Sequence, residues 1–422
     1  MSTLNIALDP TKAPGILAAK IWIRGGSKSD PNGQKGVHQL LGSVISRGCG
    51  PYNNIELADL VEGSGAGLRC DTHEDGLLIS LKCSDSDADR LLPIIGWMII
   101  NPHLDSDQVA LERELTLQAL QRQKENPFHL AFDGWRHLAY AYGPYGHDPL
   151  GLTEDVKSLS RKDLLPIAKD LVNEEKVIAI AGIFPDEMIK RIQEMHPFDQ
   201  LISNDIKQLS TTNKGKQIDY KKTNQSNLIL QSEKTGQVVI MLGQATIPHG
   251  HEHDLALRLL ACYLGSGMSS LLFRELREKH GVAYDVGVHH PTREGAAPFL
   301  LHVSTSEDKA LLTLQLLQNI WESIKQSPLD EDELELARAK FRGHIAHGSQ
   351  TVSQRAERRA MLRVLGLGDN YDVQSIEKVE SITSVDIQTT AQRYLHQPLL
   401  SLCGPEPTIK GLATYWTDKQ IS

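Results

Sequence analysis

The chain has 422 residues, 40% of them hydrophobic and 23% charged, and its formal net charge at pH 7 is −9. This is an ordinary globular balance with enough length for about two to three domains. The acidic charge argues against nucleic acid or an anionic membrane as a partner. The five cysteines are odd in number and lack C-x-x-C spacing, which favours buried, unpaired thiols in a reducing compartment. Because there is neither a signal-like N-terminus nor an apolar run of membrane-spanning length, we expect a cytoplasmic protein.

Alternation of apolar and polar residues predicts strands in both halves of the chain. They lie at 17–23, around 67–70 and at 77–83 in the first half, and at 238–242, 282–288 and 299–304 in the second. Helices follow in each half. The clearest is 106–124, where an aspartate cap precedes an apolar stripe.

The two halves of the chain resemble each other. The segment 101–113 resembles 326–338, and 156–163 resembles 379–386, so the two shifts are 225 and 223 residues. A near-constant shift over this distance indicates two copies of one domain and not a short-period repeat.

We therefore predict an α+β fold with two homologous domains, each a largely antiparallel sheet with helices packed on one face. The predicted N-terminal domain occupies 1–204 and the C-terminal domain occupies 228–422. The polar segment 205–227, which is poor in large apolar residues, is the predicted linker.

Residues 36–49 read GVHQLLGSVISRGC. They resemble the first helix of the pitrilysin and mitochondrial processing peptidase family, whose signature contains H-x-x-E-H. There, two histidines hold Zn²⁺ and the glutamate takes a proton from the zinc-bound water. Aligned without gaps, the histidines fall on Gln39 and Ser43 and the glutamate falls on Gly42. Glycine cannot act as a base, and serine and glutamine are poor zinc ligands.

The family's third zinc ligand is a glutamate in an E-x₆-E pattern, which corresponds here to the helix predicted at 106–124. Glu112 occupies the first glutamate of that pattern, but the ligand position is Ala119. The resemblance therefore predicts a degenerate zinc site with no metal bound by this chain. It also implies that the two domains are arranged as a clamshell.

Residues 264–286, LGSGMSSLLFRELREKHGVAYDV, resemble the second signature of the family, a glycine-rich turn followed by a helix and a strand. The resemblance implies that Arg277 and Tyr284 hold the substrate backbone and support the oxyanion, a role that requires hydrogen-bond donors. We also assign substrate binding to the turn residues Gly265, Ser266 and Gly267.

These residues also have an interpretation without function. Arg277 lies in a charged run typical of a solvated helix face, and Tyr284 alternates with valines and could belong to the core. Two histidine features have plain interpretations as well. We predict that the tract 248–254, PHGHEHD, is a solvated loop and helix cap, and that His38 lies on a helix surface.

Together, these resemblances predict the non-catalytic subunit of a heterodimeric zinc endopeptidase. A homologous partner would carry the zinc, and this chain would add Arg277 and Tyr284 in trans while completing a chamber for peptides or unfolded polypeptides. By itself the chain would be inactive. The alternative is a structural scaffold without a catalytic role, in which an arginine–tyrosine pair would have no purpose.

Overall fold

The computed structural model describes residues 4–11, 15–141, 143–201 and 227–421. Its ten strands are β1 (Leu4–Pro10), β2 (Leu17–Arg24), β3 (Gly67–Thr72), β4 (Gly76–Cys83), β5 (Lys176–Gly182), β6 (Leu228–Ser232), β7 (Gln237–Ala245), β8 (Asp285–His289), β9 (Pro298–Ser306) and β10 (Leu399–Gly404).

Fifteen α-helices lie in the described ranges. They are α1 (Val37–Val44), α2 (Asn54–Gly63), α3 (Ala88–Ile100), α4 (Ser106–Lys124), α5 (Pro127–Tyr140), α6 (Thr153–Ser158), α7 (Arg161–Leu171), α8 (Met188–Glu194), α9 (Asp254–Gly265), α10 (Ala310–Gln326), α11 (Glu331–His347), α12 (Val352–Val364), α13 (Tyr371–Val379), α14 (Ser384–Tyr394) and α15 (Glu406–Ile421). The described residues contain no helix with the length and apolar content needed to cross a bilayer.

The strands form two sheets with the same plan. The first has the order β1-β5-β2-β4-β3 and the second has the order β6-β10-β7-β9-β8. The first edge strand of each sheet is parallel to its neighbour: β1 to β5, and β6 to β10. All other neighbouring strands are antiparallel. The predicted α+β fold of two homologous, largely antiparallel halves is therefore confirmed.

Helices cover both faces of each sheet, whereas alternation predicted helices on one face. In the first sheet, Ile21 and Ile23 of β2 pack into a large core with α1, α3 and α7, while Ala18 and Trp22 point to the opposite face. There they meet α12, whose buried residues are Val352, Ala356, Ala360 and Val364. Burial on both faces explains why β2 is apolar along nearly its whole length.

The second sheet is covered in the same way by a helix from the first half of the sequence. Ala131 and Trp135 of α5 pack against Val239 and Met241 of β7. The indole N–H of Trp135 donates to the carbonyl of Gly243 at 3.3 Å, which fixes this helix on the sheet.

The compact units are consequently not contiguous in sequence. One contains the described residues of 1–120, 147–214 and 346–371, and the other contains those of 121–146, 215–345 and 372–422. They depart from the predicted ranges 1–204 and 228–422 at α5 and α12, because each of these helices packs on the sheet built by the other half. The predicted linker lies outside the described residues, apart from Asn227.

Candidate functional site

The helix that aligns with the zinc signature begins on a buried aspartate. The carboxylate of Asp30 accepts from the backbone N–H of Gly36 at 2.7 Å and of His38 at 3.2 Å, which caps the start of α1. The same carboxylate contacts the rings of His38 at 2.6 Å and His147 at 3.2 Å. Burial alone would raise the pKa of Asp30, but hydrogen bonds from His147 and His38 outweigh burial and hold it below its usual value.

The prediction that His38 lies on the helix surface is therefore wrong. Its side chain is turned back onto Asp30 and is buried. Sequence spacing could not show this contact, because Asp30 lies in the preceding turn.

The two positions that align with the zinc histidines, Gln39 and Ser43, are half-buried and partner each other. The amide nitrogen of Gln39 donates to the hydroxyl of Ser43 at 3.4 Å. One turn of helix separates them, which is the spacing that two ligands on one helix face require. The two positions therefore have the geometry of a ligand pair, but they carry an amide and a hydroxyl where the family has two imidazoles.

Gly42, which aligns with the catalytic base, lies directly against β3. A Cβ atom on Gly42 would lie 2.7 Å from Oγ1 of Thr72 and 3.4 Å from Sγ of Cys70. The Thr72 hydroxyl is held in place because it donates to the carbonyl of His38 at 3.2 Å. The side chains of Thr72 and Cys70 thus occupy the space that the first atoms of a longer side chain at position 42 would need.

The helix that aligns with the third ligand, α4, coincides with the prediction at 106–124. Its retained carboxylate, Glu112, is buried and accepts from Nε of Arg47 at 2.7 Å. Ala119, two turns later on the same face, is half-buried and has no ligating atom. Arg47 therefore supplies the positive charge that neutralises the carboxylate left on this face.

These residues do not fit a zinc ion. A structural or catalytic zinc site needs three or four thiolate, imidazole or carboxylate ligands, and positions 39, 42, 43 and 119 supply none of them. Nor does the described part of the chain contain any group of three or more His, Cys, Asp or Glu side chains able to hold a metal.

We predict that Gly42→Ala destabilises the protein. Alanine favours a helix over glycine by up to about 1 kcal/mol, whereas overpacking against Thr72 costs about 1–3 kcal/mol, so we expect a net loss near 1 kcal/mol in denaturant unfolding. Gly343→Ala is the matched control, because it lies within α11 and a Cβ there meets nothing within 4 Å. In a Thr72→Ala background the penalty should shrink. If Gly42→Ala changed the free energy of unfolding by the same amount as Gly343→Ala, or stabilised the protein, the close contact would be refuted.

The second signature folds into a turn, a π-helix and an edge strand. After α9 ends at Gly265, the chain forms a π-helix at Phe273–Lys279, and Gly281 with φ of +60° leads it into β8. Any Cβ on Gly265 would lie 2.6 Å from the backbone nitrogen of Val288, so only glycine fits there. The resemblance implied an ordinary helix in this segment. It could not reveal the wider turn, a feature frequent at functional sites.

Both residues of the predicted donor pair lie on the surface. Arg277 is exposed, and its guanidinium stacks over the ring of Phe273 at 5.0 Å. Tyr284 is 61% exposed, and only its backbone N–H is bonded inward, to the carbonyl of Ser304 at 2.8 Å. The alternative in which Tyr284 belongs to the core is therefore wrong: β8 starts one residue later, so the valine alternation does not extend to position 284.

The turn residues of the predicted substrate loop differ in exposure. Gly267, with φ of +72°, is exposed, while Gly265 and Ser266 are half-buried. Met268, next in the loop, is 75% exposed and was not predicted. A conformation that only glycine adopts readily thus presents a short stretch of backbone beside an apolar side chain.

The histidine tract is only partly a solvated loop. His249 and Asp254 are buried, and Nδ1 of His249 lies 2.8 Å from the Asp254 carboxylate, which also accepts from Nε of Arg258 at 2.8 Å. Burial would raise the pKa of Asp254, but the charge of Arg258 and the bond to His249 keep it well below its usual value. His251 and His253 are half-buried. Asp254 is the first residue of α9, where a negative charge is favourable, but the N-cap residue His253 makes no capping side-chain hydrogen bond.

Comparison with known proteins gives a consistent family for both halves. The model described as "Insulinase (Peptidase family M16)" matches residues 8–148, and the one described as "Peptidase M16 inactive domain" matches residues 161–341. An uncharacterized zinc protease of Rickettsia bellii is 24% identical over 390 residues, with 89% of each chain covered. One of Bacillus subtilis is 21% identical over 387 residues, with 91% of each chain covered.

Solved structures agree on the fold. A peptidase M16 inactive domain from Pseudomonas fluorescens superposes with a TM-score of 0.82 at 18% identity, covering 96% of this chain and 97% of that one. A protease from Helicobacter pylori gives the same TM-score and identity, covering 96% and 98%. At such identities the likeness establishes the shared fold and nothing about chemistry.

Proposed function

Because this chain belongs to the M16 (insulinase) peptidase family, we propose that it is the non-catalytic subunit of a zinc endopeptidase whose metal lies on a homologous partner. The observation that carries this proposal is the contact between Gly42 and Thr72. It leaves neither a base nor space for one at the position where the family's glutamate would act.

The ligand positions support the same conclusion. The side-chain amide of Gln39 donates to the hydroxyl of Ser43, and Arg47 neutralises Glu112. These polar side chains therefore contact other side chains of the protein, which supports a role without a bound zinc ion.

Two exposed side chains of the second unit support a role in trans. The guanidinium of Arg277 and the hydroxyl of Tyr284 can both donate hydrogen bonds, and both side chains face solvent. A donor positioned beside a substrate carbonyl can hold it and stabilise the negative charge that develops on it during hydrolysis. The water and the base that attack the carbonyl would belong to the partner.

We propose peptides or unfolded polypeptides as substrates. Strands β3 and β8 form one edge of each sheet, and an extended peptide can add to such an edge through backbone hydrogen bonds. A chamber closed by two homologous chains would admit an extended segment and exclude a folded domain.

The metal content of the isolated chain tests the proposal. We expect elemental analysis to find no tightly held zinc that depends on residues 36–49 or 106–124, and we expect no peptide cleavage by the chain alone. Mixing with a zinc-bearing homologue should produce cleavage. About one equivalent of zinc that is lost when Gln39, Ser43 or Glu112 is substituted would overturn the proposal.

A further inference from the structure

Two helices of the second unit carry a cluster of cations around one buried thiol. Sγ of Cys262 on α9 lies 3.7 Å from Nδ1 of His344 on α11, so this pair joins the two helices. Arg258 lies one turn before Cys262, and Lys340 lies one turn before His344. The charges of Arg258 and Lys340 both act on the thiol. Positive charge is therefore concentrated where α9 meets α11.

The ammonium group of Lys340 has no compensating partner. Its Nζ is a buried atom without a hydrogen bond to any described residue. Burial lowers the pKa of Lys340, and the charge of the exposed Arg274 lowers it further. Cys262 would oppose these effects only as a thiolate, but burial raises the pKa of that thiol to about 11, so it is uncharged at neutral pH. Because a buried cation without a partner costs free energy, an anion at this position would be stabilising.

Carboxylates on the neighbouring residues are engaged elsewhere. Asp254 accepts from Nε of Arg258 at 2.8 Å, although Nη2 of the same guanidinium is buried without a partner in the described residues. Glu333 accepts from the hydroxyl of Tyr263. Neither carboxylate is bonded to Nζ of Lys340, so the positive charge at that nitrogen remains uncompensated.

We propose that Lys340 and Arg274 bind a phosphate group, either as inorganic phosphate or on a small phosphomonoester. Their two positive charges match the charge of a phosphate monoester, which is about −1.5 to −2 at pH 7. Ammonium and guanidinium groups are also favourable donors to phosphate oxygens. The site lies within the second unit and is independent of the subunit role proposed above.

The exposure of the neighbouring side chains indicates how a ligand would reach this site. Arg274 and His344 are exposed and Lys340 is half-buried, so a phosphate would approach from the side of the two exposed residues. The flexible four-carbon stem of Lys340 allows its ammonium group to turn towards the ligand.

Calorimetric titration of the full chain in a phosphate-free buffer of low ionic strength tests the site. Inorganic phosphate or glycerol 3-phosphate should bind at one site, and the tighter of the two identifies the source of the phosphate group. Acetate should bind at least about tenfold more weakly, because it carries a single charge. Lys340→Met should weaken phosphate binding at least about tenfold, since it removes a charge-assisted hydrogen bond.

The same variant should have the opposite effect on stability. Without phosphate, Lys340→Met should melt at the same temperature as the unmodified chain or higher, because it keeps an apolar stem and removes an uncompensated charge. Phosphate should raise the melting temperature of the unmodified chain but not that of the variant. A lower melting temperature of Lys340→Met without phosphate would overturn the proposal, since it would show that the ammonium group already has a favourable partner.

Lys279→Met is the matched control. Lys279 is exposed on the same π-helix as Arg274, but it already pairs with Glu275 at 2.9 Å. Its loss should change phosphate affinity by less than about twofold. Arg274→Gln alters an exposed side chain and remains informative if Lys340→Met fails to fold, as judged by circular dichroism.

Arg274→Gln should weaken phosphate binding by about threefold or more, because it removes one of the two charges. The proposal would be overturned if the unmodified chain bound neither phosphate compound, or if acetate bound as tightly as phosphate. Unchanged phosphate affinity in Arg274→Gln or in folded Lys340→Met would overturn it as well.

Discussion

Replacing Arg277 with alanine or Tyr284 with phenylalanine should lower the turnover of the assembled peptidase by about 10²–10³-fold, the usual effect of losing one oxyanion donor. The affected site would lie on another polypeptide. Tyr284→Phe removes one hydroxyl from a side chain that is 61% exposed, so stability should hardly change. Single-turnover kinetics on the reconstituted complex would measure the effect.

A second positive charge on the same π-helix, Lys279, provides the control for Arg277. Lys279 is exposed on the same π-helix and pairs with Glu275 at 2.9 Å, so Lys279→Ala removes an equal charge beside the proposed donor. It should leave turnover within about twofold, since an exposed ion pair contributes little. Arg277→Lys should recover only part of the activity, because lysine keeps the charge but not the planar fork.

Full activity of both donor variants in correctly assembled complexes would favour the scaffold alternative. Complex formation must be measured separately, for example by size-exclusion chromatography, because a variant that fails to assemble would also lose activity. A fall in assembly with unchanged turnover per complex would place Arg277 or Tyr284 at the subunit contact and not at the substrate.

Local patterns predicted the elements of this fold well. The alternating run at 17–23 and the capped stripe at 106–124 both form the expected elements, because period and capping act within a few residues. Strands β1, β5, β6 and β10 were not predicted. β5 is buried along its whole length, so its sequence shows no alternation of apolar and polar residues.

The features of the site that the sequence did not reveal depend on contacts between distant residues. The alignment shows the loss of three ligands and the base, but not that Gly42 packs on Thr72 or that His38 turns onto Asp30. The packing of α5 and α12 is of the same kind. The apolar stripe of each helix predicts that one of its faces is buried. It does not predict which sheet the helix packs on, because that depends on residues far away in the chain.

This exchange of helices predicts that neither half of the chain folds alone. A chain of residues 1–214 would lack α12 and leave Trp22 and Leu78 exposed on one face of its sheet, and 215–422 would lack α5 and expose Val239 and Met241. Uncovered apolar sheet faces of this kind promote aggregation. We expect insoluble or non-cooperatively unfolding products from separate expression, and a soluble complex from co-expression.

A rearranged chain separates this explanation from a general instability of fragments. Joining residues 346–371 to the end of 1–214 through a flexible Gly/Ser linker restores α12 and every described segment of the first unit. That chain should unfold cooperatively in urea, and an Ala356→Asp change should abolish the gain, because Ala356 is fully buried against the sheet. Cooperative unfolding of 1–214 without α12 would contradict the prediction. It would mean that the large core on the other face is sufficient to stabilise the sheet.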